Sequence, residues 1–186
     1  MEKLLIVGSG GLGRVVLEHA SLNYECTFID DGIEPGTIID GTPVIGKTTD
    51  LPELHGEFKC LIVAIGNNAI REKLYEQATK IGYHFPNIIQ QSAYISNHST
   101  MGNGCIILNN VVVQNNTQIG HGVILNPGVE IHHDSIIGNN VVIYTNSVIR
   151  SLARIEDRAK IGSTLTIGNN VIIKEDEVIA DGQTIT

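Results

Sequence analysis

Two places in this 186-residue chain gather residue types that do chemistry. The first is His132-His133-Asp134, an imidazole followed by a carboxylate. A histidine beside an acid on a rigid turn can act as a general base, because the imidazole takes a proton near neutral pH and the carboxylate orients or charges it. The bland alternative for any of the seven histidines is a solvated turn residue. The second place is Gly8-Ser9-Gly10-Gly11-Leu12-Gly13, which fits G-x-G-x-x-G. Such a turn offers backbone N–H groups and a helix N-terminus to phosphate, and an acidic residue further on meets ribose. Asp30 and Asp31 are the acids in question. They contact a ribose or base, or they are solvated loop residues, and the glycines hold phosphate or only allow a tight turn.

The element that positions the histidines is a repeat. From Ile95, every sixth residue through Ile185 is aliphatic or Met, sixteen positions without a break. With 42% of the chain apolar, chance fills one such frame roughly once in a million. Four residues after most of the aliphatics comes a second small or β-branched residue, as at Cys105, Val111, Thr117, Val123, Val129 and Ser135. The residues between are Gly, Asn, Asp and other polar types that suit turns. Three hexads close one triangular coil, and stacked coils make a left-handed parallel β-helix with the aliphatics inside. Fifteen hexads give five coils, at about 4.8 Å per coil a stack of roughly 24 Å. A coil of eighteen residues puts His133 between Asn115 of the coil before and Ser151 of the coil after, with His121 on another face. The close His-x4-His pair of γ-class carbonic anhydrase zinc sites is missing, so no metal is expected.

The element that positions the glycines is a half-Rossmann α/β unit. Lys3 to Gly8 reads as a buried strand, and Leu12, Val15, Val16, His19 and Ala20 have helical spacing. Cys26 to Asp31 and Cys60 to Gly66 read as further strands, and residues between Asp31 and Asp50 as a loop or hairpin at the mouth of the site. Asn67-Asn68 caps a helix over 69–81 with Ile70, Leu74, Ala78 and Ile81 on its apolar face and Gly82 as its stop. One mononucleotide half suits a nucleotide diphosphate better than a dinucleotide. The boundary falls near 85–93, giving a nucleotide-binding domain over 1–90 and a β-helix over 91–186, expected to pack together.

Composition narrows the partners. The net charge of -8 and a pI near 5.3 argue against nucleic acid or an anionic membrane. Cys26, Cys60 and Cys105 are an odd number in apolar surroundings, which suggests buried thiols in a reducing compartment. No apolar run has membrane-span length, and a strand follows Met1 almost at once, so a cytoplasmic protein is expected.

A half-Rossmann unit followed by an uninterrupted hexapeptide β-helix resembles the bacterial sugar O- and N-acetyltransferases of the sialic acid O-acetyltransferase (NeuD) family. Within it the chain is most similar to the PglD-type UDP-4-amino-sugar N-acetyltransferases. The resemblance runs from Leu4 to about Ile185 and is carried by the glycine turn, Phe28-Ile-Asp30-Asp31, Ala64 to Arg71, and Gly122 to Asn126 leading into His132-His133-Asp134. It implies His133 as general base and Asp134 as its acid. It implies acetyl-CoA as co-substrate, attacked directly by a sugar amine or hydroxyl, with a backbone N–H near Ser151 steadying the oxyanion. It also implies a homotrimer with acetyl-CoA between neighbouring prisms, near Tyr144, Ser151 and Gly162. The nucleotide sugar would lie against Gly8, Ser9, Gly10, Gly11 and Gly13, with Asp30, Asp31, Gly66 and Asn67 around it.

This sequence departs from the family where Leu12 and Val142 stand in place of histidines and where Ser151 stands in place of a frequent glycine. Relatives usually run on into a Gly-Val-Pro-Ala-type tail, whereas Glu177 and Gln183 break the inner pattern here, so the last coil is expected to fray or to need a cover. The first reading is N-acetylation of a nucleotide-linked amino sugar for surface glycans. The alternatives are O-acetylation of sialic acid or another nonulosonate, and a non-catalytic trimeric nucleotide-sugar-binding or scaffold protein.

Overall fold

The computed structural model describes residues Met1–Thr186, which divide into two compact units, Met1–Ile88 and Ile89–Thr186. In the first, β1 (Glu2–Val7) leads through the glycine turn into α1 (Gly11–Ala20) and returns as β2 (Tyr24–Ile29), parallel to β1. Leu4, Leu5, Ile6 and Val7 are all buried, which is why this strand reads as a continuous apolar run. The segment after β2 forms a hairpin, β3 (Ile38–Ile39) and β4 (Thr42–Gly46), and β4 extends the sheet by pairing parallel to β2. Asp40 and Gly41, both at positive φ, make its two-residue turn. A short α2 (Leu51–Leu54) precedes β5 (Cys60–Val63) on the other side of β1, and α3 (Asn68–Ile81) follows.

The sheet order is β3-β4-β2-β1-β5. The connections leave β1 in opposite directions, so a crevice opens beyond the carboxyl end of β1, where ligands bind in open α/β sheets. Asn67 accepts a hydrogen bond from the Ile70 N–H at 3.0 Å and starts α3, and Gly82 at φ 105° ends it. Two expected faces need correction. Val15 is exposed while Leu17 is buried on α1, and Ile70 is half exposed while Arg71 is fully buried on α3. Arg71 donates from Nη1 to the Ile65 carbonyl at 2.8 Å and from Nη2 to Asn68 Oδ1 at 3.0 Å, so a polar head is tolerated inside because it is bonded.

The second unit is a left-handed parallel β-helix. Two-residue strands recur every six residues and build sheets of six, five and six strands. Each strand pairs with the one a coil later, as in Val113↔Ile131, Ile131↔Ile149 and Ile149↔Ile167. The aliphatics from Ile107 to Ile179 form one buried core, with Ile95, Met101 and Ile185 partly buried at its ends. Ser135 and Ser147 lie inside it, and their hydroxyls donate to the carbonyls of Arg150 at 3.0 Å and Gly162 at 2.7 Å.

The third residue after most of the inner aliphatics has positive φ. Asn110, Asn116, Asp134, Asn140, Asn146, Asn170 and Asp176 fill this place, as do Gly104, Gly122, Gly128 and Gly182. These residue types tolerate the left-handed region; Leu152, Arg158 and Thr164 adopt it without that advantage. The last coil does not fray. Lys160 N–H donates to the Glu177 carbonyl at 2.8 Å and Thr166 N–H to the Gln183 carbonyl at 2.9 Å, while both side chains are exposed. No helix is long and apolar enough to cross a membrane.

Candidate active site

The glycine turn borders a crevice of about 460 Å³ lined by Gly8, Gly10, Gly11, Asp30, Asp31 and Gly66 together with Val7, Leu12, Thr48, Ala64, Ile65 and Ile70. A Cβ added at Gly10, Gly11 or Gly66 would meet nothing within 4 Å, so these three glycines leave room. Gly10 caps α1 without a side-chain hydrogen bond, which leaves N–H groups of the first turn open to an anion. The two aspartates are anchored. Asp30 Oδ2 accepts from the Ser9 N–H and hydroxyl, both at 2.8 Å, and Oδ1 from the Gly32 N–H at 2.9 Å. Burial opposes the Asp30 charge, but these three donors outweigh it and hold the carboxyl below its usual range. Asp31 accepts from the Thr48 N–H at 2.8 Å and hydroxyl at 2.9 Å. Both carboxylates therefore border the crevice with their directions fixed by these hydrogen bonds.

Three residues of the expected nucleotide set serve the scaffold instead and do not line the crevice. Ser9 is buried and turned toward Asp30. A Cβ on Gly13 would come 1.9 Å from the Gly8 carbonyl oxygen, so this glycine lets α1 pack on the turn. Asn67 spends its side chain on the α3 cap.

On the β-helix, His133 stands on a corner with Ser151 directly one coil on. His133 Nδ1 lies 2.6 Å from Asp134 Oδ2, and Ser151 Oγ lies 3.0 Å from His133 Nε2. The Asp134 carboxylate also accepts from the Asn116 amide in the coil before. That bond first, and His133 second, hold its pKa below the usual carboxylate range. An ionised carboxylate only accepts, so Nδ1 is the nitrogen that donates to Asp134, and in the tautomer protonated there Nε2 is the acceptor for the Ser151 hydroxyl. The His133 backbone N–H donates to Gln114 Oε1 at 3.1 Å, which fixes the turn from below. The Ser151 N–H has no acceptor within the chain. This is a hydrogen-bonded line, carboxylate to imidazole to hydroxyl, with a free donor beside it.

Comparison with known proteins follows the same division. The PglD N-terminal domain family matches residues 3–78, and the bacterial transferase hexapeptide family (six repeats) matches residues 116–151. The acetyltransferase domain of PglB from Neisseria gonorrhoeae, solved in complex with acetyl coenzyme A, is 30% identical at a TM-score of 0.74, over 98% of this chain and 95% of that one. The chain belongs to the PglD-type family of hexapeptide-repeat sugar acetyltransferases. A histidine-to-alanine mutant of GDP-perosamine N-acetyltransferase from Caulobacter crescentus, solved with CoA and GDP-perosamine, is 25% identical at a TM-score of 0.67, over 96% and 91%. WeeI from Acinetobacter baumannii shares the fold, with a TM-score of 0.87 at 22% identity over 100% and 92%.

In this PglD-type chain His121 and His132 have other neighbours than the His133 line. His121 Nδ1 accepts from the Asn103 N–H at 3.0 Å, the His121 N–H donates to Asn139 Oδ1 at 2.9 Å, and the Asn139 N–H to Asp157 Oδ1 at 2.7 Å. This ladder joins successive coils up a different corner and gives His121 a structural role. His132 has Nε2 3.7 Å from Glu130 Oε2, off the His133 line. Tyr144 and Gly162 line a separate hollow with Lys160, Ser163 and Asp181, whereas Ser151 belongs to the His133 corner. A Cβ on Gly162 would sit 2.6 Å from Asp181 Oδ1, whose carboxylate takes the Ser163 N–H, so that glycine is explained by the turn it sits in. No three His, Cys, Asp or Glu side chains group to hold a metal ion. Sequence reasoning missed Gln114 and Asn116, whose only signal was their place one coil before His133 and Asp134.

Proposed function

We propose that this acetyltransferase moves the acetyl group of acetyl-CoA onto the amine of a nucleotide-linked amino sugar, of the UDP-4-amino-sugar type, for surface glycan synthesis. The observation that carries this is the His133 imidazole, tied at Nδ1 to Asp134 and with Nε2 bonded to the Ser151 hydroxyl, which an incoming amine displaces. The amine gives its proton to Nε2 as it attacks the thioester carbonyl directly. The carbon–sulfur bond then breaks, and Nε2 passes that proton to the CoA thiolate, which restores the neutral imidazole. Asp134 steadies the imidazolium, and the unpaired Ser151 N–H is the donor available to the oxyanion. The open first turn of α1 takes the diphosphate, and the fixed Asp30 and Asp31 carboxylates read ribose or base.

A homotrimer belongs to the same reading. Ser151 stands with His133, while Tyr144 and Gly162 line a different hollow, so one prism does not gather the three. A neighbouring prism would supply the second set. The relatives solved with acetyl coenzyme A, and with CoA and GDP-perosamine, support the co-substrate and the acceptor class. The test is CoA thiol release from acetyl-CoA with UDP-, GDP- and dTDP-4-amino sugars and with free sialic acid. Release with a UDP-amino sugar is expected. Release with the GDP sugar alone would reassign the nucleotide, release with sialic acid alone would reassign the acceptor, and silence across the panel would remove the proposal.

A further inference from the structure

We infer that Ser151, His133 and Asp134 form a nucleophile–base–orienter relay that can accept an acyl group on Ser151 and pass it to water, giving the site an acyl-thioester and acyl-ester hydrolase activity. Two distances carry this. Ser151 Oγ to His133 Nε2 is 3.0 Å and His133 Nδ1 to Asp134 Oδ2 is 2.6 Å, both within the reach that nucleophile, base and third group need. The constellation is recognised by geometry rather than by sequence order, and here all three parts come from two adjacent coils. The third requirement, an oxyanion donor, is present in the nucleophile's own N–H. The Ser151 N–H has no acceptor in the chain, and a nucleophilic serine uses its own amide in this way elsewhere. Side chains elsewhere on the relay are held: Asn116 bonds Asp134, and Gln114 bonds the His133 amide.

The steps balance without a further reactant than water. The Ser151 hydroxyl gives its proton to His133 Nε2 as Oγ bonds to the acyl carbon. The bond from that carbon to the leaving sulfur or oxygen breaks, and Nε2 returns the proton to the leaving group. Water then gives a proton to Nε2 and attacks the ester carbon, the carbon–Oγ bond breaks, and Ser151 regains its proton as the carboxylic acid departs. An acceptor amine that displaces the Ser151 hydroxyl from Nε2 would take the base for itself, so the hydrolytic route belongs to the site without acceptor.

For its natural donor this rests on the acetyl-CoA reading above, so two donors separate the failures. Full-length protein is incubated with acetyl-CoA alone and, separately, with p-nitrophenyl acetate, which needs no CoA site. Acid-quenched samples are digested and the Ser151 peptide is examined for an acetyl group by mass spectrometry, while acetate release is timed. An acetylated Ser151 peptide with either donor is expected, as is loss of at least about tenfold in hydrolysis for Ser151→Ala and for His133→Ala. Ser151→Cys should retain the label, now as a thioester. No label on this peptide with either donor, or hydrolysis unchanged in Ser151→Ala, overturns the relay. Label from p-nitrophenyl acetate without any sugar acetylation upholds the relay and overturns the proposed transfer; sugar acetylation without label does the reverse.

Discussion

In the proposed mechanism the His133 imidazole is the base, and its contacts distinguish it from His121 and His132. His121 accepts a backbone hydrogen bond at Nδ1 as one rung of a ladder, so removing it should cost stability before it costs chemistry. We predict that His133→Ala lowers turnover at saturating substrates by about 10²-fold or more, the usual contribution of a general base. His132→Ala should leave turnover within about threefold, because its ring nitrogen lies by Glu130 and makes no bond to Asp134 or Ser151. A fall of well under tenfold for His133→Ala would dismiss it as the base. Asp134 has its own signature. Its carboxyl lies below the usual range, from the Asn116 bond first and His133 second. A lowered folded pKa contributes stability that is present above the unfolded value and lost as pH falls through the folded one. The stability difference between wild type and Asp134→Asn should thus hold from pH 7 to about 5 and shrink only below about 4, read from urea midpoints across that range.

At the scale of elements, glycines that look alike in sequence do different work. A Cβ at Gly13 would collide with the Gly8 carbonyl, so Gly13→Ala should destabilise the α/β unit by about 3 kcal/mol. Gly10→Ala and Gly11→Ala meet open space and should fold normally while raising the KM for the nucleotide sugar. Normal KM in both would separate the crevice from substrate binding. On the β-helix, Leu152 holds φ 65° in the turn place that Asn, Asp and Gly fill in most coils. Leu152→Asn should stabilise the prism by about 1 kcal/mol, measured as a shift in urea midpoint at unchanged slope.

These elements also mark how far the sequence could be read. The period from Ile95 to Ile185 was legible because each coil repeats one packing problem, and one coil's answer serves every other. The α/β unit was less so. The β3–β4 hairpin could not be told from a loop, since β3 has two residues and pairs only with β4, and β4 is held in the sheet by β2. At the site, the His133–Asp134 pair was visible as neighbours in the chain. The Ser151 hydroxyl on Nε2, the Asn116 amide on Asp134 and the inward turn of Ser9 depend on side-chain directions across contacts eighteen to twenty-one residues apart, which residue types alone do not fix.

For the molecule as a whole, the two units carry separate cores, and the first holds several buried acids. In Met1–Ile88, burial pushes the Cys26 thiol up to about 11 and the Tyr83 phenol up to about 12. Burial also pushes Cys60 up to about 11, helped by the hydrogen bond it gives to Glu2 and by that carboxylate's charge. Each is an acid that the fold keeps protonated. A folded pKa above the unfolded one means that the native state binds more protons in the interval, so stability is fully present below about 9 and declines as pH rises toward about 11. Thermal melts followed by circular dichroism should therefore show a falling midpoint between pH 9 and about 11. The fall should be shallower in Cys60→Ala, because one of the linked protons is gone. The same burial should slow thiol-reagent attack on Cys60 at pH 8 to the rate at which the unit opens, so labelling accelerates with urea well before the transition midpoint. A midpoint flat to pH 11, or labelling of Cys60 at the rate of a free thiol, would mean that the strand β5 edge beside Glu2 is open to water and that the first unit does not keep these acids protonated.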